Sequence, residues 1–272
     1  PTSGLTTTEA GATATFSVRL TTQPASDVSI ALSSNNLNEG TISTPSLVFT
    51  PTNWNVSQVV TVTGVNDDVD DGDTAYSILT AAAVSSDPRY SGLNPPDVAV
   101  TNTNDDVAGI LVEPTSGLVT SEAGATATFS VRLQSQPTAN VTIGLASSNT
   151  TEGVPSANSL VFTPTNWNLP QTVTVTGAND DVDDDDVAYA ILTAAAVSSD
   201  VRYNGLNPSD VAVVNQRDDN DVAGILVTPT TGLVTSEAGG AATFSIRLNS
   251  QPTADVTIAL SSSRTTEGNP SV

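Results

Sequence analysis

The chain of 272 residues has no cysteine, methionine or histidine, and all seven of its basic residues are arginine. Each absence excludes a class of chemistry. Without Cys there is no disulfide, thiol nucleophile or zinc–thiolate site. Without His the usual general base and the commonest transition-metal ligand are missing. Without Lys there is no Schiff base, no phosphate-binding Walker lysine and no side-chain isopeptide staple. Long apolar runs are also lacking. One of the longest is Ala108–Val112, far short of the ~20 residues needed to span a bilayer as a helix. The chain has no initiator Met and no signal peptide, so a mature segment or a piece of a longer protein is expected. The lack of Cys fits an exposed surface protein.

What is present is acid, small polar residues and aliphatics. Asp and Glu number 29, and the formal net charge is −22. Nucleic acid is an unsuitable partner, because its recognition needs a basic footprint. The hydrophobic fraction of 38% is enough for small cores and argues against wholesale disorder.

Internal repetition decides the organisation. PTSGLTTTEAGATATFSVRL begins at Pro1, PTSGLVTSEAGATATFSVRL at Pro114 and PTTGLVTSEAGGAATFSIRL at Pro229, so the periods are 113 and 115 residues. FTPTNWN recurs at Phe49 and Phe162, and LTAAAVSSD at Leu79 and Leu192. Periods this long mean tandem domains, since solenoid repeats run ~20–50 residues. Asp106 and Asp221 each end a unit, and VAGILV begins the next. The expected units are residues 1–106, 107–221 and a partial 222–272. The first is expected to enter partway along its first strand. Half a sandwich cannot bury a core, so more chain is expected beyond Val272.

Within a unit the pattern has period two. Ala12, Ala14, Phe16, Val18 and Leu20 alternate with Thr13, Thr15, Ser17 and Arg19, which reads as half-buried antiparallel strand. Strands are predicted near Leu5–Thr8, Ala12–Leu20, Val28–Leu32, Ser46–Thr50, Val59–Thr63, Ala75–Val84 and Val98–Thr101. Seven short strands in such a span predict an all-β fold of tandem immunoglobulin-like sandwiches, end to end.

Strand parity then places the acids. Lettering the strands A to G, the A–B, C–D and E–F loops share one pole with the end of G. Glu9, Glu39, Asp67, Asp68, Asp70, Asp71, Asp73, Asp105 and Asp106 fall there, against Asp27, Asp87 and Asp97 at the other pole. The second unit repeats this with Glu122, Glu152, Asp180, Asp181, Asp183, Asp184, Asp185, Asp186, Asp218, Asp219 and Asp221. At ~5 Å and an effective dielectric of about 20, each close pair costs roughly 3 kcal/mol. A multivalent cation removes that repulsion, and a set of hard oxygens suits Ca²⁺ better than the geometrically strict Mg²⁺. DVDDGD at Asp68–Asp73 lacks the bidentate Glu and flanking helices of an EF-hand. The competing reading is a salt-adapted surface, but that should spread acid over every face. Glu39 and Glu152 read equally well as ligands or as turn residues.

These residues resemble the Calx-β repeat family and, more loosely, the calcium-binding immunoglobulin-like modules of large bacterial surface proteins. The resemblance is carried by TEAG at Thr8–Gly11, SEAG at Ser121–Gly124, the F-S-V-R-L strand, NDDVDDGD at Asn66–Asp73, NDDVDDDD at Asn179–Asp186, NDD at Asn104–Asp106 and DDND at Asp218–Asp221. It covers both complete units and the start of the third. It implies Ca²⁺ ligands among Glu9, Asp67, Asp68, Asp70, Asp73, Asn104, Asp105 and Asp106. The implied counterparts are Glu122, Asp180, Asp181, Asp183, Asp186, Asp219 and Asp221, with Glu237 in the third unit. This chain departs from the family's pattern at Asn104, at Asp185 in place of Gly72, and in a two-residue insertion before Asp221.

Trp54 and Trp167 lie in the D–E loop at the opposite pole, where they either cap the core or stack on a sugar. Tyr76 and Tyr189 read as core, and Tyr90 and Tyr203 as loop packing beside Arg89 and Arg202. Asn55, Asn140 and Asn149 open glycosylation sequons. A glycosidase pair is not expected, since it needs one carboxyl kept protonated in an apolar cleft. The expected function is structural: a calcium-stiffened extracellular segment of a cell-surface adhesin stalk or fibre. Its partners would be neighbouring repeats, identical chains in a fibre, and a glycan or receptor at a distal tip. A filament joined by donating Gly109–Val112 or Gly224–Val227 between chains, and a carbohydrate-binding module using the tryptophans, are the alternatives.

Overall fold

The computed structural model describes residues 2–217 and 221–271. The chain is all-β and forms immunoglobulin-like sandwiches. Up to residue 103 it forms β1 (Leu5–Thr8), β2 (Thr13–Val18), β3 (Val28–Ser34), β4 (Gly40–Ile42), β5 (Ser46–Phe49), β6 (Gln58–Gly64), β7 (Thr74–Thr80), β8 (Val84–Ser85) and β9 (Val98–Thr103). The next set is β10 (Ile110–Glu113), β11 (Leu118–Ser121), β12 (Thr126–Leu133), β13 (Val141–Ser147), β14 (Gly153–Pro155), β15 (Ser159–Phe162), β16 (Gln171–Gly177), β17 (Val187–Thr193), β18 (Val197–Ser198) and β19 (Val211–Gln216). Then come β20 (Ile225–Thr228) and β21 (Ser245–Leu248). No helix of the described residues is long and apolar enough to cross a membrane.

The second set shows the full sandwich. One sheet has the order β10-β12-β16-β14, and the other β11-β19-β17-β13-β15, with β18 beside β13. The period-two alternation sends Phe129, Val131 and Leu133 of β12 inward, against Val141, Ile143 and Leu145 of β13 and Ile191 of β17. Phe129, Val173, Val175, Ile143 and Ile191 are each 2% exposed or less. The first set repeats this with β2-β6-β4 facing β1-β9-β7-β3-β5, and has its own core around Phe16, Val60, Val62 and Ile78.

Two of the predicted strands are split. The first lies as β10 antiparallel to β12, then crosses to the other sheet as β11, parallel to β19. The sixth, expected over Ala75–Val84, ends as β7 at Thr80, and β8 follows on β3. The short β4 and β14, in the stretch read as the C–D loop, were not predicted and lie on β6 and β16. An uninterrupted antiparallel order was expected, and the parallel β1–β9 and β11–β19 pairs correct it. The physical reason is that a strand at the edge of one sheet can satisfy its backbone on either sheet, and proline interrupts it between them. Pro114 separates β10 from β11. Each split strand keeps its direction, so the loops still sort to the poles by parity.

A buried polar chain ties these strands together. Thr7 Oγ1 lies 3.2 Å from the Tyr76 hydroxyl and donates to Asn102 Oδ1 at 2.9 Å. Asn102 Nδ2 donates to Glu39 Oε2 at 3.3 Å and to the Val65 carbonyl at 3.1 Å. The second unit repeats it with Thr120, Tyr189, Asn215, Glu152 and the Ala178 carbonyl. The tyrosine needs a glycine beneath it: a Cβ on Gly40 or Gly153 would fall on the Tyr76 or Tyr189 hydroxyl. Gly153→Ala is therefore expected to cost about 1–3 kcal/mol by overpacking, read as a lower midpoint in urea unfolding. An unchanged midpoint would show that the tyrosine has room to move aside.

Candidate metal centre

The acidic pole is assembled from four chain segments. Glu9 follows β1, and its N–H donates to the Thr103 carbonyl at 3.0 Å. That anchors the side chain beside the end of β9, where Glu9 Oε2 accepts the Asp105 N–H at 3.0 Å. Glu39 stands at the entry to β4, held by Asn102 from within the sandwich. The loop between β6 and β7 curls so that Asp67 Oδ1 accepts the Val69 N–H at 2.8 Å.

The carboxylates converge in threes. Glu9, Asp105 and Asp106 each place an oxygen within 4.8 Å of the others, as do Glu39, Asp67 and Asp71, and in the second unit Glu152, Asp180 and Asp184. The glutamates are the buried members: Glu9 is 3% exposed, and Glu39 and Glu152 are 4%. Among the described residues the arginines pair elsewhere, Arg89 with Asp87, Arg202 with Asp70 and Arg217 with Asp183. No described cation neutralises the three groups, and Asp184 Oδ1 is buried without a hydrogen-bond partner.

The energetic consequence is visible in proton affinity. Burial pushes the Glu9 carboxyl up to about 7; the Asp105 N–H opposes the rise, and the charges of Asp67, Asp71 and Asp106 add to it. Burial also raises Glu39, against its Asn102 hydrogen bond, with Asp71 and Asp67 adding. Asp71, Asp106 and Asp184 move the same way, burial first and neighbouring carboxylates next, and burial raises Glu152 against its Asn215 hydrogen bond, with Asp184 and Asp180 adding. Asp67 and Asp71 thus act on both Glu9 and Glu39, so the two groups of the first unit form one electrostatic patch.

The acids at the opposite pole behave differently. Asp87 accepts N–H groups from Ala25 and Arg89 and pairs with the Arg89 guanidinium. These partners, the Arg89 side chain foremost, hold it well below the usual carboxylate range. Asp97 and Asp210 accept the N–H of Thr80 and Thr193. These carboxylates are satisfied loop caps. The tryptophans sit at this pole too, half-buried against the cores, with their carbonyls accepting the Leu20 and Leu133 N–H groups.

The remaining predicted residues divide by position. Asp70 Oδ2 accepts the N–H of Ala108, just before β10, and Asp183 Oδ2 that of Ala223, just before β20. The carbonyls of Asp68 and Asp181 accept the N–H groups of Gln136 and Gln251. These four bridge one unit to the next and belong to none of the three groups. Asp73 and Asp186 cap the Asn104 and Arg217 N–H groups. Asn104 bonds to the Asp106 backbone. Glu122 is buried like its counterpart Glu9, and Asp221 is half-buried. Asp219 lies outside the described residues. Glu237 is exposed.

The ligands implied by the sequence omit Asp71 and Asp184, and there Glu39 and Glu152 read equally well as turn residues. Charge density in the loop could not separate Asp71 from Asp70. The available signal was the buried glutamate itself, fixed three residues from Asn36 in one turn and from Asn149 in the other.

No family model matches the chain, and no curated protein matches it. Among solved structures it is similar to CBD12 from CALX1.2, at 13% identity over 79% of this chain and 97% of that one, with a TM-score of 0.36. The calcium binding domain CBD12 of CALX1.1 matches at 17% over 76% and 80%, TM-score 0.31. Domains 4 and 5 of the S-layer protein SbsC match at 14% over 69% and 75%, TM-score 0.30. Likenesses this distant leave the function to be argued from the chain's own residues.

The raised carboxyls predict a pH dependence. A group whose folded pKa lies above its unfolded value holds a proton that the unfolded chain has lost, so stability falls as pH rises through that window. For Glu9 the window runs from 4.5 to about 7. Asp87, depressed in the fold, loses its contribution only as pH falls below its ordinary 3.8, outside this window. In EDTA the chain is therefore expected to melt higher at pH 5 than at pH 7.5 by calorimetry. A higher melting temperature at pH 7.5 would mean that the carboxylates do not repel as placed.

Proposed function

We propose that the chain is a calcium-stiffened structural repeat segment of an extracellular surface protein, an adhesin stalk or surface fibre, with no enzymatic role. Its units run over residues 1–106, 107–221 and 222–272. One observation carries the reading. The loop between β6 and β7 gives Asp67 and Asp71 to the acidic groups, and from the same turn gives Asp68 and Asp70 to the next unit. Whatever holds that loop also holds the junction.

The donor set supports Ca²⁺: the three groups offer only hard carboxylate oxygens, the ligand type that Ca²⁺ takes. Glu9, Asp105 and Asp106 would hold one ion, and Glu39, Asp67 and Asp71 another, with Glu152, Asp180 and Asp184 in the second unit. When bound, the ion supplies positive charge and oxygen coordination. The chain's own residues do the rest. Asn102 and Asn215 orient the buried glutamates, while the Asp70 and Asp183 carboxylates hold the start of the following unit. At 4.8 Å or less, each ionised pair repels by roughly 3.5 kcal/mol at an effective dielectric of about 20. Neutralising a triad relieves that repulsion.

The full chain should show a rise in melting temperature with millimolar Ca²⁺ over EDTA, not reproduced by NaCl at matched ionic strength. Binding at 100 times Kd contributes about 2.7 kcal/mol per site. A rise that NaCl equals would mean a salt-adapted surface and end the stiffening mechanism. Asp71→Asn and Asp184→Asn should act in two directions at once. Removing one repelling charge raises the melting temperature in EDTA, while the gain on adding Ca²⁺ shrinks. Loss of stability in EDTA would instead assign these residues a purely structural role.

A further inference from the structure

The first two units present different outer faces on the same sheet. In the first unit the residues of β1, β9, β7 and β3 that alternate outward include Thr6, Thr101, Ser77 and Ser33. Their counterparts in the second unit are Val119, Val214, Ala190 and Ala146. Each of these changes removes a hydroxyl, and no outward strand position of this sheet changes from apolar to polar. The inward residues are kept: Tyr76, Ile78, Val98 and Val100 recur as Tyr189, Ile191, Val211 and Val213, all buried. Core packing therefore does not explain the difference.

The register joins the altered residues into one patch. Val119 lies beside Val214, and Val214 beside Ala188. Ala212 lies beside Ala190, and Leu192 beside Ala146. Val161 and Val197 both pair with Thr142. Val119, Val161, Leu192 and Val197 stand exposed. A groove of about 560 Å³ in this face is lined by Gly144, Ala146, Leu192 and Ala194, among others. Gly144 replaces Ala31 of the first unit, and a Cβ there would lie 3.3 Å from the Ala194 methyl, so the glycine deepens the groove. Asp210 also lines it, with its Oδ1 taken by the Thr193 N–H. The strands of this sheet contain no Asp, Glu or Arg, whereas the opposite sheet of the unit carries Glu113 and Arg132.

We propose that this face of the second unit packs sheet on sheet against the same face of a second copy of the chain. Charge argues for that occupant. Copies with a net charge of −22 repel wherever their acidic surfaces meet, and an uncharged apolar face lets them approach without bringing carboxylates together. Size argues for it too. Five strands about 4.8 Å apart and seven residues at about 3.3 Å make a face of about 24 by 23 Å. Two such faces bury about 1,100 Å², just above the ~1,000 Å² that a specific interface needs. The face is also self-complementary, as an isologous contact requires, because it sets exposed Leu192 and Val197 on the same surface as the small Gly144 and Ala146. β17 is the middle strand of the five, which puts Ala190 close to the two-fold axis. The result is lateral pairing of two segments, which goes beyond the stiffening role and does not rest on the cation reading.

Sedimentation velocity of the 272-residue chain over a concentration series, in EDTA and again in Ca²⁺, tests it. Reversible association is expected in both buffers, and it should strengthen as NaCl screens the net charge. Val119→Thr, Ala190→Ser and Val214→Thr together install residues that the first unit carries in the same register, so the fold is expected to hold. That variant should associate about tenfold more weakly. The chain has no Cys, so a single introduced thiol reports the axis directly. Ala190→Cys should give a disulfide-linked dimer under mild oxidation, while Ser77→Cys, the equivalent position of the first unit, should not. A parent chain that stays monomeric would overturn the second copy as occupant. Association that the triple variant leaves unchanged, or equal cross-linking by the two cysteine variants, would overturn the face.

Discussion

Mutual repulsion among carboxylates is the constraint on which the acidic pole depends. Three groups of three acids lie within 4.8 Å, and no described arginine reaches them. The fold does not avoid this arrangement. It enforces it, because Glu9 is tied to β9 through its backbone, and Glu39 is gripped from inside the sandwich by Asn102. The glutamate of each triad is buried and cannot turn to solvent to relieve the charge. A structure that holds like charges together in this way stores sensitivity to protons in its acidic groups.

That sensitivity is coupled to the connection between units by the loop after β6. Neighbouring residues of one short loop serve two ends. Asp67 and Asp71 face the acidic groups, while the Asp68 carbonyl and Asp70 carboxylate take hydrogen bonds from the following unit. The second junction repeats both bonds through Asp181 and Asp183. Arg202 adds an ion pair back to Asp70, whereas its counterpart Arg89 closes on Asp87 of its own loop. The same residue type is therefore a junction contact or a local cap, depending on what lies beside it. At the opposite pole Asp87, Asp97 and Asp210 are already satisfied by backbone N–H groups. The two ends differ in arrangement as well as in count: at the acidic pole the carboxylates converge on one another, and at the other Asp87, Asp97 and Asp210 each cap backbone N–H groups.

The edges of the sheets show a related economy of parts. The first strand of a unit serves both sheets by crossing at Pro114, first covering the β12 edge and then running parallel to β19.

The tandem sandwich fold was legible in the sequence, because a period of two residues within strands and a period of 113 between repeats are both one-dimensional signals. Strand parity likewise brought Glu9, Glu39, Asp67, Asp105 and Asp106 to one pole, since it needs only the order of the strands. The split of the first strand and the extra edge strands β4 and β14 were not legible, because nothing local says which sheet an edge strand will join. Nor was the division of labour inside the loop. Asp70 and Asp71 are adjacent and chemically identical, yet one holds the next unit and the other joins the buried Glu39. Sequence determined that the acid would gather. Tertiary structure decided which carboxylates meet, because a tight turn sends neighbouring side chains in opposite directions, and only the surrounding strands settle what each of them finds.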